Sequence, residues 1–118
     1  MKKRIAILGS TGSIGTRSLE IIENNSDIFE VEVLTANNNV ELLIQQTRKF
    51  LPNAVVIANK DKYKVLADAL DNIPVKVYAG SDAINQVVRM ESVDMVLTAM
   101  VGYSGLIPTY YAVNSGKH

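Results

Sequence analysis

Five short runs of aliphatic and β-branched residues, at positions 4–8, 31–35, 54–58, 75–78 and 93–100, alternate with longer stretches whose apolar residues recur at helical spacing. Ile14, Leu19, Ile21 and Ile22 follow the first run, and Val40, Leu42, Leu43 and Ile44 the second. Val65, Leu66, Ala69 and Leu70 follow the third, Ala83, Ile84, Val87 and Val88 the fourth, and Leu106, Tyr110, Tyr111 and Val113 the fifth. A chain built this way buries its apolar faces by repeating strand and helix, with parallel strands side by side and helices packed on the sheet. The runs are almost continuously hydrophobic rather than alternating, as strands covered on both faces require. The expected fold is therefore α/β, a Rossmann-type open parallel sheet with helices on both faces. The expected strand order, named by the first residue of each run, is Val75, Ala54, Val31, Arg4, Val93. Asn39 is placed to cap the helix from Val40, and Ser81 the helix from Asp82. Pro108 fits only the first turn of the last helix, and Gly116 a helix end.

The stretch GSTGSIG at 9–15 directly follows the first strand. Strand, glycine-rich turn and helix make a dinucleotide site, in which Gly9 allows a tight exit, Gly12 lets a pyrophosphate approach the backbone, and Gly15 lets the helix pack closely. Free N–H groups at the helix start, with the positive end of its dipole, then favour phosphate, and Thr11 and Ser13 add hydroxyls. The spacing is G-x-x-G-x-x-G rather than G-x-G-x-x-G, and glycines also serve ordinary strand-to-helix turns. The phosphate loop G-x-x-x-x-G-K-[ST] does not fit, because the fifth residue after Gly9 is Ile14 and no lysine follows.

After the second strand, where an NAD site carries a carboxylate for the ribose hydroxyl, the chain reads Ala36, Asn37, Asn38, Asn39. With no carboxylate to repel a 2′-phosphate and three amides to donate to one, this favours NADP over NAD. The same residues also suit an asparagine-rich turn that caps a helix. If the first and fifth strands are neighbours, the crevice between their ends is a topological switch point, where ligands bind; Ala99 and Met100 would stand beside it.

Other chemistries are excluded by residue type. Cysteine is absent and the one histidine is His118, so thiolate metal sites and a Ser-His-Asp triad have no ligands here. Lack of cysteine fits a cytoplasmic protein. Four residues after Tyr63, Tyr78, Tyr103, Tyr110 and Tyr111 stand Ala67, Asp82, Ile107, Asn114 and Ser115, so the tyrosine-lysine pair of a short-chain dehydrogenase is missing. Lys+Arg and Asp+Glu both number 12, which gives no basic surface for nucleic acid. No apolar run reaches membrane-spanning length, and the basic start runs into glycines rather than a signal cleavage site. Glu20/Glu23 and Asp68/Asp71 read as solvated helix faces rather than metal sites.

Three segments together resemble the 1-deoxy-D-xylulose 5-phosphate reductoisomerase family. AILGSTGSIGTRSLEII is similar to its opening, VLTANNNVELLIQQ to its second strand and helix, and VDMVLTAMVGYSGLIPTYYAVNSGK to its fifth strand and following helix. The resemblance implies an NADPH-dependent oxidoreductase of the non-mevalonate isoprenoid pathway. Such an enzyme rearranges 1-deoxy-D-xylulose 5-phosphate and reduces the product to 2-C-methyl-D-erythritol 4-phosphate with a magnesium or manganese ion, as a cytoplasmic homodimer. Thr11, Gly12, Ser13 and Ile14 match the family's phosphate-binding turn, and Asn37, Asn38 and Asn39 its 2′-phosphate and ribose loop. Many members carry glycine and a basic residue where Asn37 and Asn38 stand, so the NADPH preference here rests on uncharged amides. The family's metal and substrate residues lie past the helix ending at Gly116. Residues 1–118 are thus expected to be the NADPH-binding domain, inactive alone, with the catalytic and C-terminal domains absent. A free-standing NAD(P)-binding module for sensing or scaffolding is the alternative.

Overall fold

The computed structural model describes residues 2–98. Five strands form one parallel sheet: β1 (Lys3–Leu8), β2 (Phe29–Ala36), β3 (Ala54–Ile57), β4 (Lys76–Ala79) and β5 (Met95–Thr98), ordered β4-β3-β2-β1-β5. This is the order expected from the sequence. Between them run α1 (Ser13–Asn24), α2 (Val40–Phe50), α3 (Tyr63–Ala69), preceded by a 3-10 turn at Lys60–Lys62, and α4 (Ser81–Val87). The fifth expected helix, with Pro108, Tyr110, Tyr111 and Gly116, lies outside the described residues, as do Ala99, Met100 and Tyr103.

The helices divide between the faces as the crossovers dictate. While the chain steps from β1 to β4, α1, α2 and α3 fall on one face. There Leu19, Ile22, Leu43, Leu66 and Leu70 pack on Ile5, Ile7, Leu34, Val55 and Ile57. The return from β4 to β5 reverses direction and carries α4 to the other face, where Ile84, Val87 and Val88 pack on Ala6, Leu8, Val33 and Val56. Right-handed connections permit only this division. Ile5 to Leu8 and Ala54 to Ile57 are therefore buried on both sides, whereas the edge strand β4 exposes Lys76 and Tyr78. A charged residue on an edge discourages pairing with another chain.

Val31 and Val33 face opposite sides although two residues apart, because the β1–β2 register slips between Ile5 and Ala6. Glu32 is the extra residue of this bulge. It is buried, and both its carboxylate oxygens accept from Asn53 Nδ2 at 2.9 Å. At the same end of the sheet, Arg4 N and Nε donate to Asp94 Oδ2 at 2.9 and 3.2 Å, tying β1 to the entry of β5. Hydrogen bonds from Arg4 hold the Asp94 carboxyl below the usual carboxylate range. Across the helices, Lys49 pairs with Glu23 at 2.9 Å, and Arg48 Nη2 donates to the Ala69 carbonyl at the end of α3.

One capping expectation changes. Ser81 is the first residue inside α4, and Gly80, at φ 98°, precedes it without a side-chain cap. Since α4 turns directly out of the strand, the left-handed glycine makes the bend and leaves Ser81 already helical.

Candidate functional site

The C-terminal ends of β1, β2 and β3 carry the glycine turn, the asparagine loop and Asn59 side by side. β1 leaves the sheet at Gly9, whose φ of 83° belongs to the left-handed region that glycine occupies without strain. The turn is stitched to β2 at once. Gly9 N donates to Thr35 O and Oγ1 at 3.0 and 3.1 Å, and Ser10 N donates to Thr35 O at 2.8 Å. α1 then starts so close that a Cβ on Gly15 would strike the Gly9 carbonyl oxygen and stand 2.7 Å from Ser10 Cα. This is the close helix packing expected of the third glycine.

Gly12 differs. Its φ is −77°, and a Cβ there would meet only Gly9 O at 3.7 Å, an ordinary contact. The protein itself does not demand glycine at this position. Gly12 caps α1 without a side chain, α1 has no acidic residue in its first turn, and no protein acceptor among the described residues meets the N–H groups of Thr11, Ser13, Ile14 and Gly15. Unspent donors, the dipole and the absence of negative charge suit this helix start to an anion. Ser13 and Ile14 are exposed, Ile14 by 58%, which puts an apolar side chain next to those donors, and Thr11 is half-buried.

Asn37, Asn38 and Asn39 are exposed. The side-chain amides of Asn38 and Asn39, and the backbone carbonyl of Asn37, are held by hydrogen bonds. Asn39 caps α2 as expected, its Oδ1 accepting from Leu42 N at 3.2 Å. Asn59 Oδ1 accepts from Asp61 N at 3.0 Å, so its other amide atom is a donor, and Nδ2 donates to Asn38 Oδ1 at 2.9 Å. Asn59 N also donates to Asn37 O at 3.0 Å. With the oxygens of Asn38 and Asn39 engaged inside the protein, their NH₂ groups face outward, and a surface of donors fits a phosphate.

Two features were not anticipated. Asn59 stands after β3, and only the pairing of β3 with β2 brings it to the loop. Gln46, on the buried side of α2, reaches the glycine turn: Ser10 Oγ donates to Gln46 Oε1 at 2.7 Å and Gln46 Nε2 donates to Ser10 O at 2.8 Å. The signal for it was a glutamine at a position whose helical period is apolar, since Val40, Leu43 and Thr47 share its face.

β5 lies beside β1, with Leu8 opposite Thr98, so the strand order reverses there and the crevice at their C-terminal ends is the switch point. Among the described residues no group of three or more Asp, Glu, His or Cys is arranged to hold a metal ion, and Glu20, Asp68 and Asp71 are exposed. No described helix is long and apolar enough to cross a membrane.

The family model for 1-deoxy-D-xylulose 5-phosphate reductoisomerase matches residues 5–118. The chain belongs to this family. Reductoisomerases from Phocaeicola vulgatus and Bacteroides thetaiotaomicron are 60% and 61% identical to it over 117 and 116 residues. These alignments cover 99% and 98% of this chain but 31% and 30% of the relatives, so the chain spans under a third of their length. The reductoisomerase from Zymomonas mobilis, solved in complex with NADPH, superposes with a TM-score of 0.93 at 36% identity, over 99% of this chain and 31% of that one. A reductoisomerase solved with NADPH, fosmidomycin and magnesium also superposes with a TM-score of 0.93, at 30% identity over 98% of this chain and 28% of that one. The Rossmann-type reading and the family resemblance are both borne out.

Proposed function

We propose that residues 1–118 are the NADPH-binding domain of a reductoisomerase that rearranges 1-deoxy-D-xylulose 5-phosphate and reduces it to 2-C-methyl-D-erythritol 4-phosphate in non-mevalonate isoprenoid synthesis. The observation that carries this reading is the room at Gly12. The free protein tolerates a Cβ there, so glycine serves a group that must reach the backbone from outside. The turn Thr11, Gly12, Ser13 and Ile14 receives the pyrophosphate, through the open N–H groups of Thr11, Ser13 and Ile14 over the bare backbone of Gly12, and the Ile14 side chain lies along the dinucleotide. The outward amides of Asn37, Asn38 and Asn39 receive the 2′-phosphate and adenosine ribose. When bound, NADPH supplies the hydride for the reduction. This chain's part is to bind and orient the cofactor.

The divalent ion, magnesium or manganese, and the substrate belong to the portion of the family's length that this chain does not span, and 1–118 alone is inactive. The complete enzyme is a cytoplasmic homodimer. A free-standing sensing or scaffolding module is not favoured, because the likeness to reductoisomerases runs over 99% of the chain.

Titration with NADPH and NADH, followed by nicotinamide fluorescence, tests the reading. NADPH is expected to saturate and NADH to bind clearly more weakly. Asn38→Asp places a carboxylate at the loop and is expected to weaken NADPH roughly tenfold relative to NADH. Unchanged preference in that variant would remove the 2′-phosphate from the asparagine loop.

A further inference from the structure

We infer that Gln46 is a positioning residue for the cofactor, acting through Ser10; this rests on the cofactor reading above. Ser10 is completely buried in the middle of the glycine turn, and Gln46 is 7% exposed. The Gln46 carboxamide grips Ser10 at two points, accepting from its hydroxyl at 2.7 Å and donating to its carbonyl at 2.8 Å. The carbonyl contact matters for binding. Ser10 C=O and Thr11 N–H belong to one peptide plane, and in a trans peptide they point in opposite directions. The backbone of the described residues contains no cis peptide. Holding the Ser10 carbonyl against α2 therefore turns the Thr11 N–H away from the protein, to the side on which Gly12 leaves its backbone open.

The same helix begins at the other half of the site. α2 is capped by Asn39 and carries Gln46 two turns later, so one rigid element holds both the glycine turn and the asparagine loop. About 10 Å of helix separates these two grips. Preorganising both phosphate subsites on one element lowers the ordering cost of binding a dinucleotide that spans them. Neither a purely apolar residue nor a carboxylate at 46 reproduces the hold, because the site needs an acceptor for the Ser10 hydroxyl and a donor for its carbonyl.

The test uses Gln46→Leu and Gln46→Glu in this 118-residue chain, with NADPH and NADH titrated against wild type at each pH from about 5 to about 8. Reference to wild type cancels the ionisation of the 2′-phosphate itself. Gln46→Leu is expected to weaken both cofactors roughly tenfold, leaving their ratio unchanged, because the pyrophosphate turn is common to both. Gln46→Glu is expected to bind as weakly when ionised, since a carboxylate cannot donate to the Ser10 carbonyl. Its affinity should recover as pH falls through its carboxyl pKa, which burial beside the Ser10 carbonyl raises from the free value toward the tested range, because the protonated acid regains the donor.

A folded Gln46→Leu protein that binds both cofactors as wild type does overturns the inference. So does a loss in Gln46→Glu that never recovers at low pH, which marks a merely structural role. Should Gln46→Leu fail to fold, the pH profile of Gln46→Glu decides alone. Wild-type protein that is folded and binds neither cofactor overturns the cofactor reading itself, a different result from either of these.

Discussion

A methyl group on Gly15 has nowhere to go. It would strike the Gly9 carbonyl oxygen and stand 2.7 and 2.8 Å from Ser10 Cα and carbonyl carbon, all of them backbone atoms that cannot rotate aside. To reach ordinary contact, α1 must withdraw from the turn by roughly 1 Å, against the packing of Leu19 and Ile22 on the sheet. Overpacking of this kind costs up to about 3 kcal/mol. Alanine's better helix propensity returns about 1 kcal/mol, which leaves Gly15→Ala about 2 kcal/mol less stable. For a domain of this size, that lowers Tm by roughly 8 °C. Gly12→Ala is the contrast. Its Cβ meets one atom at 3.7 Å and its φ is −77°, so the fold accepts it: the gain of about 0.5 kcal/mol from a less flexible unfolded chain is offset by alanine's poorer fit at the N-cap of α1, for little net change in stability. Its NADPH affinity should nonetheless fall tenfold or more, because the methyl stands between the phosphate and the backbone. Thermal melts and NADPH titrations of the two variants separate the roles. Wild-type Tm in Gly15→Ala would mean that α1 is not pinned on the turn, and wild-type affinity in Gly12→Ala would mean that no phosphate approaches there.

Two further outcomes concern stability. Asp94 has a lowered pKa because Arg4 donates to its ionised form, so its contribution is complete above the ordinary value near 3.8 and is lost as pH falls through the lowered folded value. The urea midpoints of wild type and Asp94→Asn should therefore differ at neutral pH and converge in acid; a gap that is constant with pH would contradict the pairing. Leu51, at the end of α2, has φ 52° and is 62% exposed, so it bears left-handed strain with little packing in return. Leu51→Gly should raise stability by roughly 0.5–1 kcal/mol in urea unfolding, and a loss of stability would show that the side chain is held more firmly than its exposure indicates.

The order of the elements and the sheet topology were legible in the chain, because parallel strands write continuous apolar runs and right-handed crossovers leave few ways to connect them. The glycine turn was legible too, since Gly9 and Gly15 answer to backbone geometry that no other residue meets. Asn39 showed its capping role through its place before Val40. Ser81 misled, because a local cap signal does not record that the preceding Gly80 makes the bend. Glu32 lies in an apolar strand run, and no local pattern says that the register slips there and buries it with Asn53.

What the sequence alone determined depends on neighbours along the chain: periodicity, the glycine turn and the donors at the start of α1. What only the tertiary structure decided depends on neighbours across it. Asn59 reaches the asparagine loop because β3 pairs with β2, and Gln46 reaches Ser10 because α2 lies over the exit of β1. For hydrogen bonds between residues 21 and 36 positions apart, the sequence shows at most that a polar residue such as Gln46 sits on a buried period; which partner it meets is decided only when the sheet brings the two segments together.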